Sequence, residues 1–200
     1  MRNKYIESGR SKQKYHTREK ILSAAQQLLQ SKTDFTLEEV AQNAKLSRAT
    51  VYRYYSNSDA LSAEAVLDRL TKDSSSIAKD IKGDDVLSRC LEIQHYYNNL
   101  ALDNEAAFRK YLSIVLTNTS EVEQVRGGRR VETLKATLEN SNPNLTTKDK
   151  TNLIHAASIL MGIEAFIVTK DVCGLDNENS KATLKWAMEM MIKGVLKADK

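Results

Sequence analysis

Helix breakers are nearly missing from this chain. Its 200 residues include one proline, Pro143, and seven glycines. With so few breakers, long stretches whose apolar residues recur three and four apart read as helices, and the chain reads as all-α. Cysteine is scarce as well: Cys90 and Cys173 are too few for a disulfide framework and lack metal-site spacing. No run of about 18 apolar residues occurs, so no membrane span is expected. The nearest approach, AASILMGIEAFIV, is interrupted by Glu164. The opening MRNKYIESGR has no apolar stretch of signal-peptide length, and a cytoplasmic protein is expected. Catalytic signatures are lacking too. RGGRR has neither a strand before it nor Lys-Ser/Thr after it, so it is not a phosphate loop. Glu92 and His95 make one Glu-x-x-His and no second exists, so neither a metal nor another cofactor is expected. Cys90 and His95 are five apart and point to different sides of a helix, which excludes a nucleophile–base pair there. The chain is not expected to be an enzyme.

What is present is unevenly placed. Residues 1–60 hold 11 Lys and Arg against 6 Asp and Glu, whereas residues 61–200 hold 19 against 20. The excess positive charge sits in the first third, which points to a polyanionic partner at that end. Residues 1–16 are basic, show no helical period and are expected to form a flexible arm. From Thr17, a residue of N-cap type, Ile21, Leu22, Ala25, Leu28 and Leu29 recur as one apolar helix face. Thr36 with Glu39 three residues on completes a capping box, and Leu37, Val40, Ala41 and Ala44 follow as a short apolar stripe. Ser47 can cap a third helix with Val51 and Tyr54 facing inward.

Two short helices, about 36–43 and 47–54, are thus joined by Ala44-Lys45-Leu46, which is helix-turn-helix spacing. Small Ala41 suits a close crossing, while Val40, Leu46 and Val51 are apolar where the pair must hold together. Arg48, Ala49, Thr50, Tyr52 and Arg53 remain for the outward face of the second helix. A major groove presents polar base edges, thymine methyls and flanking phosphates together. A surface mixing cationic, hydroxyl and aromatic groups matches it.

The residues TREKILSAAQQLL and FTLEEVAQNAKLSRATVYRYYSNSDAL resemble the N-terminal domain of TetR-type transcriptional regulators, from Thr17 to about Leu61. Order, spacing and residue type agree. The resemblance implies, after the arm at 1–16, a three-helix DNA-binding head at 17–61 and a larger helical domain at 62–200, about nine helices in all. It further implies that Thr36, Leu37, Lys45, Ser47, Arg48, Ala49, Thr50, Tyr52, Arg53, Tyr54, Asn57 and Ser58 lie at or near double-stranded DNA. The chain departs from the family in two places. Lys45 stands where the turn normally has glycine, which costs about 1 kcal/mol if the backbone there is left-handed. Ser58 stands where the family tends to have a phosphate-directed lysine. The basic arm (Arg10, Lys12, Lys14, Arg18) is a candidate substitute, reaching a neighbouring minor groove, with a plain solubilising tail as the alternative.

From residue 62 the likeness is one of architecture. Ala63, Val66, Leu67 and Leu70 are expected to continue a long helix, and the stretches at 84–102 and 104–118 read as amphipathic helices split near Asp103. VRGGRR is a hinge-like interruption, ENSNPNLTT a loop, and Thr147 a candidate cap. In the last two helices, Leu153, Ala156, Ala157, Leu160, Met161, Glu164, Ile167 and Val168 form a broad apolar band. Leu184, Ala187, Met188, Met191, Val195 and Leu196 form a narrower one. These bands are expected to pair across a twofold axis as a homodimer, because two heads read two half-sites of a palindromic operator about 34–36 Å apart or a multiple of that. The alternative is that both bands are internal core. A small-molecule effector is expected, with Glu92, His95, Tyr96, Tyr111, Glu164 and Phe166 as candidate pocket residues, beside Tyr97, Phe108 and Trp186. Glu164, a carboxylate in an apolar band, needs a partner if buried. The reading favoured is a transcriptional repressor released by its effector. The alternatives are an architectural DNA-binding protein without effector and a helical interaction module whose head no longer reads DNA.

Overall fold

A computed structural model describes residues 2–31, 34–117, 128–139 and 145–198, with side chains for all of these except 2–12 and 198. Among the described residues every element is helical and there is no strand, so the all-α class stands. The order is α1 Arg2–Ser31, α2 Leu37–Asn43, α3 Arg48–Tyr54, α4 Ser58–Leu70, α5 Ser74–Asp80, α6 Val86–Asp103, α7 Glu105–Thr117, α8 Arg129–Leu138 and α9 Thr147–Ile159. Then α10, Ile163–Phe166, runs directly into a π-helical turn, Ile167–Val172, before α11, Asn177–Ala198. The chain divides into two compact units, Met1–Thr71 with Arg109–Arg126, and Lys72–Phe108 with Gly127–Lys200. Residues 118–127 and 140–144 lie outside the described set, and with them parts of the VRGGRR and ENSNPNLTT stretches.

The first unit, the head, is built on α1. Ile21, Leu22, Ala24 and Ala25 pack with Val40 and Ala41 from α2, Val51 from α3, and Leu61 and Ala65 from α4. Burying each large aliphatic side chain contributes about 1.5–3 kcal/mol, so this small core suffices to hold short helices that would not persist alone. The head takes in the whole of α4 instead of stopping at Leu61. Gln26 donates to the Ala65 carbonyl and to Asp68, and Arg18 pairs with Glu64, stitching α4 along α1. Leu67 is buried, but Val66 and Leu70 of the expected apolar face are about half exposed.

The N-terminal segment expected as an irregular arm is the start of α1, which begins at Arg2. Lys, Arg, Glu and Gln are good helix formers in the absence of any packed face, so a missing apolar period signals missing burial and nothing more. Thr17 is accordingly not an N-cap; it lies inside α1 and its hydroxyl donates to the Gln13 carbonyl.

In the second unit, α5, α6, α8, α9 and α11 share a core of Ile77, Cys90, Ile93, Leu134, Leu153 and Met188, among others. Asp73 caps α5, Asp85 caps α6 in a capping box with Ser88, and Thr146, not Thr147, caps α9. The band expected as one helix over 153–168 is broken. Gly162 sits at φ +83, and the two halves meet at a bend of 58°. A break frees backbone groups that must find partners inside the core. Here the Gln94 amide donates to the Leu160 carbonyl, as well as to the Leu184 carbonyl inside α11, and the Gly162 N–H donates to Asn98 Oδ1. The Arg130 guanidinium donates to the carbonyls of Ser158 and Met161 and to Glu164. Gln94 and Asn98, one helical turn apart on α6, are both almost fully buried. Among the described residues no single helix is long and apolar enough to cross a membrane.

Candidate nucleic-acid interface

Each end of the α2–turn–α3 unit is fixed by its own sequence. Thr36 has extended backbone, its hydroxyl accepts the Glu39 N–H at 3.2 Å, and the Glu39 carboxylate accepts the Thr36 N–H at 2.8 Å. Ser47 Oγ accepts the Thr50 N–H at 3.1 Å and lies 2.8 Å from the Thr50 hydroxyl. Between the caps, the Lys45 N–H bonds to the Gln42 carbonyl and the Leu46 N–H to the Ala41 carbonyl. Lys45 itself takes φ 55, the left-handed turn conformation that favours glycine. The backbone thus accepts a cost of about 1 kcal/mol at a position whose side chain is an exposed cation.

The third helix turns Val51 into the head core and leaves Arg48, Ala49, Tyr52 and Arg53 exposed. Tyr54 is half-buried rather than fully inward: its hydroxyl donates to the Lys14 carbonyl, and the Arg53 guanidinium lies 5.7 Å from its ring centre. The aromatic that seals this core is Tyr55, just past the helix, whose phenol burial pushes up to about 12. Asn57 caps α4 by accepting the Ala60 N–H, and Ser58 opens that helix. Leu37 does not belong to the outward surface. Only 4% exposed, its side chain is part of the head core, because the first turn of α2 must anchor there. Arg18 is likewise committed, to Glu64, with both side chains mostly covered. Of the arm residues proposed to reach DNA, Arg10 and Lys12 have no described side chains. As part of a helix about 10–12 Å across, this segment does not fit a minor groove about 6 Å wide.

One half-buried residue carries no motif signature in the sequence. Glu38, in the first turn of α2, accepts the Tyr52 hydroxyl at 2.7 Å. That hydrogen bond, helped by the charge of Arg48, holds the Glu38 carboxyl below its usual range, and the same bond raises the Tyr52 phenol. The signal in the sequence was its position on the outer side of α2, one residue before the capping Glu39.

Each candidate effector residue is held by neighbours of its own. Phe166 is fully buried in the second unit. Glu92 accepts the Lys82 N–H, and exposed His95 contacts Asn99 at 2.9 Å. Tyr96 accepts the Lys72 N–H and meets the Tyr97 ring edge-on, while the buried Tyr97 bonds Thr133. Glu164 is held by Arg130 at the helix break. Tyr111 belongs to the other compact unit. Cys90 is fully buried, and burial pushes its thiol up to about 12, far from nucleophilic. Among the described residues no three His, Cys, Asp or Glu side chains are placed to hold a metal ion.

Five residues of the two apolar bands, Leu153, Ala157, Met161, Leu184 and Met188, are buried within the chain, and the others are at least partly exposed. Exposed large apolar side chains of the same helices are Ile159, Val168, Val172, Trp186 and Met190. No family model matches the chain, and no curated protein matches it.

Proposed function

We propose that this chain is a homodimeric, sequence-specific DNA-binding transcriptional regulator, a repressor whose operator affinity falls when a small molecule binds. The observation that carries the reading is the division of α3. Val51 is fully buried while Arg48, Ala49, Tyr52 and Arg53 stand in solvent, on a short helix set against α2 by a tight left-handed turn. A helix enters the major groove with such a face, arginine meeting guanine and the flanking polar groups meeting phosphate. The surplus of basic residues in the first 60 positions supports it by drawing that end toward a polyanion.

Pairing of two copies is proposed through the π turn and α11, where Val168, Val172, Trp186 and Met190 leave apolar surface uncovered. Release by an effector then follows from linkage: a ligand weakens DNA binding only by favouring the state that does not bind DNA. Selection of bound sequences from a random duplex pool tests the reading. A palindromic winner, with affinity falling by about 0.9 log unit per phosphate contact for each tenfold rise in salt, is the expected result. A chain that enriches no sequence and shows no salt-dependent affinity for any duplex overturns it. That outcome favours the interaction-module alternative, for which one observation speaks: the hydroxyls of Thr36, Ser47, Thr50 and Tyr52 are all engaged by neighbouring protein groups.

A further inference from the structure

We propose that Glu38, held by Tyr52, selects the base read beside α3 by accepting the exocyclic amino group of a cytosine. This rests on the DNA-reading proposal above and goes further by assigning a base-selecting carboxylate on α2. The contact joins the two helices on their solvent side, outside the core formed by Val40, Ala41 and Val51. The apolar packing of α2 against α3 does not include Glu38. What the bond does is directional. The Tyr52 hydroxyl, spending its one proton on Glu38 Oε1, carries the carboxylate to the exposed side of the recognition helix.

A carboxylate offers about four lone-pair positions, and the Tyr52 hydroxyl uses one of them. The remaining positions accept only. Phosphate oxygens, guanine O6 and thymine O4 are acceptors and are repelled. Adenine presents its amino group beside N7 on the same base, so a carboxylate there meets an acceptor as well. Cytosine presents N4 beside the O6 of its guanine partner, and an arginine satisfies that O6 together with N7. Arg48, whose charge is felt at Glu38, stands on the same exposed surface. An acceptor and a bidentate donor side by side complement a C·G pair.

The test compares sequences selected from a random duplex pool by the full-length wild-type chain and by Glu38→Ala, Glu38→Gln and Tyr52→Phe. The wild type should fix a cytosine at one position of each half-site. Glu38→Ala should erase that preference, about 10-fold, and leave the other positions as they were. Glu38→Gln should move the preference to adenine, whose N6 and N7 match an amide. Tyr52→Phe should weaken the preference at the same position without creating another. An identical profile for wild type and Glu38→Ala overturns the assignment while leaving DNA reading intact. So does a loss spread evenly over all positions, which marks a merely structural Glu38. A wild type that selects nothing is a different failure, that of the DNA-reading proposal itself.

Discussion

The head and the second unit use polar residues in opposite ways. On the head, Arg48, Tyr52, Arg53 and Lys45 are outside, and the core beneath them is apolar. In the second unit Gln94 and Asn98 are inside, only 3% and 4% exposed, and their amides bond the Leu160 carbonyl and Gly162 N–H at the helix break. An outward polar residue is available to a partner and costs little. An inward one must be fully satisfied, since a buried unpaired amide or carbonyl costs about 1–3 kcal/mol. The difference separates a surface suited to recognition from a scaffold that specifies its own shape.

The sharpest way to break this contrast is at the helix break. Gly162→Ala puts a side chain at positive φ, and its Cβ would meet Arg130 Nη1 at 2.8 Å. That guanidinium is pinned by two carbonyls and Glu164 and cannot withdraw without losing them. A loss of about 2–4 kcal/mol is expected, measured by urea denaturation. Hydrogen exchange should place it in α6, α9 and α10, with the amides of α2 and α3 unaffected. Equal loss of protection in both units would show that they do not differ as argued.

On the head, Arg48→Ala should leave the urea midpoint unchanged, because the side chain is exposed, yet cost about 1–3 kcal/mol of discrimination at one base position. An unchanged binding profile removes Arg48 from the reading surface. Lys45→Gly should split the two properties in sign. Relief of the left-handed backbone should stabilise the fold by up to about 1 kcal/mol, while loss of the cation should reduce the salt slope by about one contact. If both properties fall together, the turn is held by the lysine side chain.

The smallest effect concerns pH. Asp73 caps α5, accepting from the Ser75 and Ser76 hydroxyls and the Ser76 N–H, and these bonds depress its carboxyl far below the ordinary value. A carboxyl depressed on folding contributes stability that is fully present above its unfolded pKa of about 3.9 and is lost as pH falls toward the folded value. Asp73→Asn keeps a capping oxygen and removes the titration. Its stability should therefore fall less steeply than wild type from about pH 4 downward, as followed by acid titration of helicity. Parallel curves would mean that the hydroxyl contacts do not persist in solution.

The legible parts of this protein are those whose causes are local. Thr36 and Ser47 mark the starts of α2 and α3 because a cap needs only its own hydroxyl and a neighbour three residues on. The left-handed turn at Lys45 is suggested only through the resemblance, in which glycine is usual at that position. The start of α1 leaves no mark in the sequence because periodicity reports burial, and a helix without a buried face has none. The burial of Leu37 is not legible because a residue at a helix start can face either way until the neighbouring helix is placed. The pairing of Glu38 carries no sequence signal because its partner, Tyr52, is on another helix.

The amino-acid order by itself determined the helical class, the short helix pair with its caps and turn, and the charge at one end. Caps, breakers and apolar spacing act within a few residues, and the pattern records them directly. Only the tertiary structure decided that AASILMGIEAFIV bends at Gly162. An apolar run with one glycine satisfies a straight helix equally well until Gln94, Asn98 and Arg130 arrive from other helices. It also decided which apolar stripes are core and which stay uncovered, because that depends on the faces the neighbouring helices have already filled.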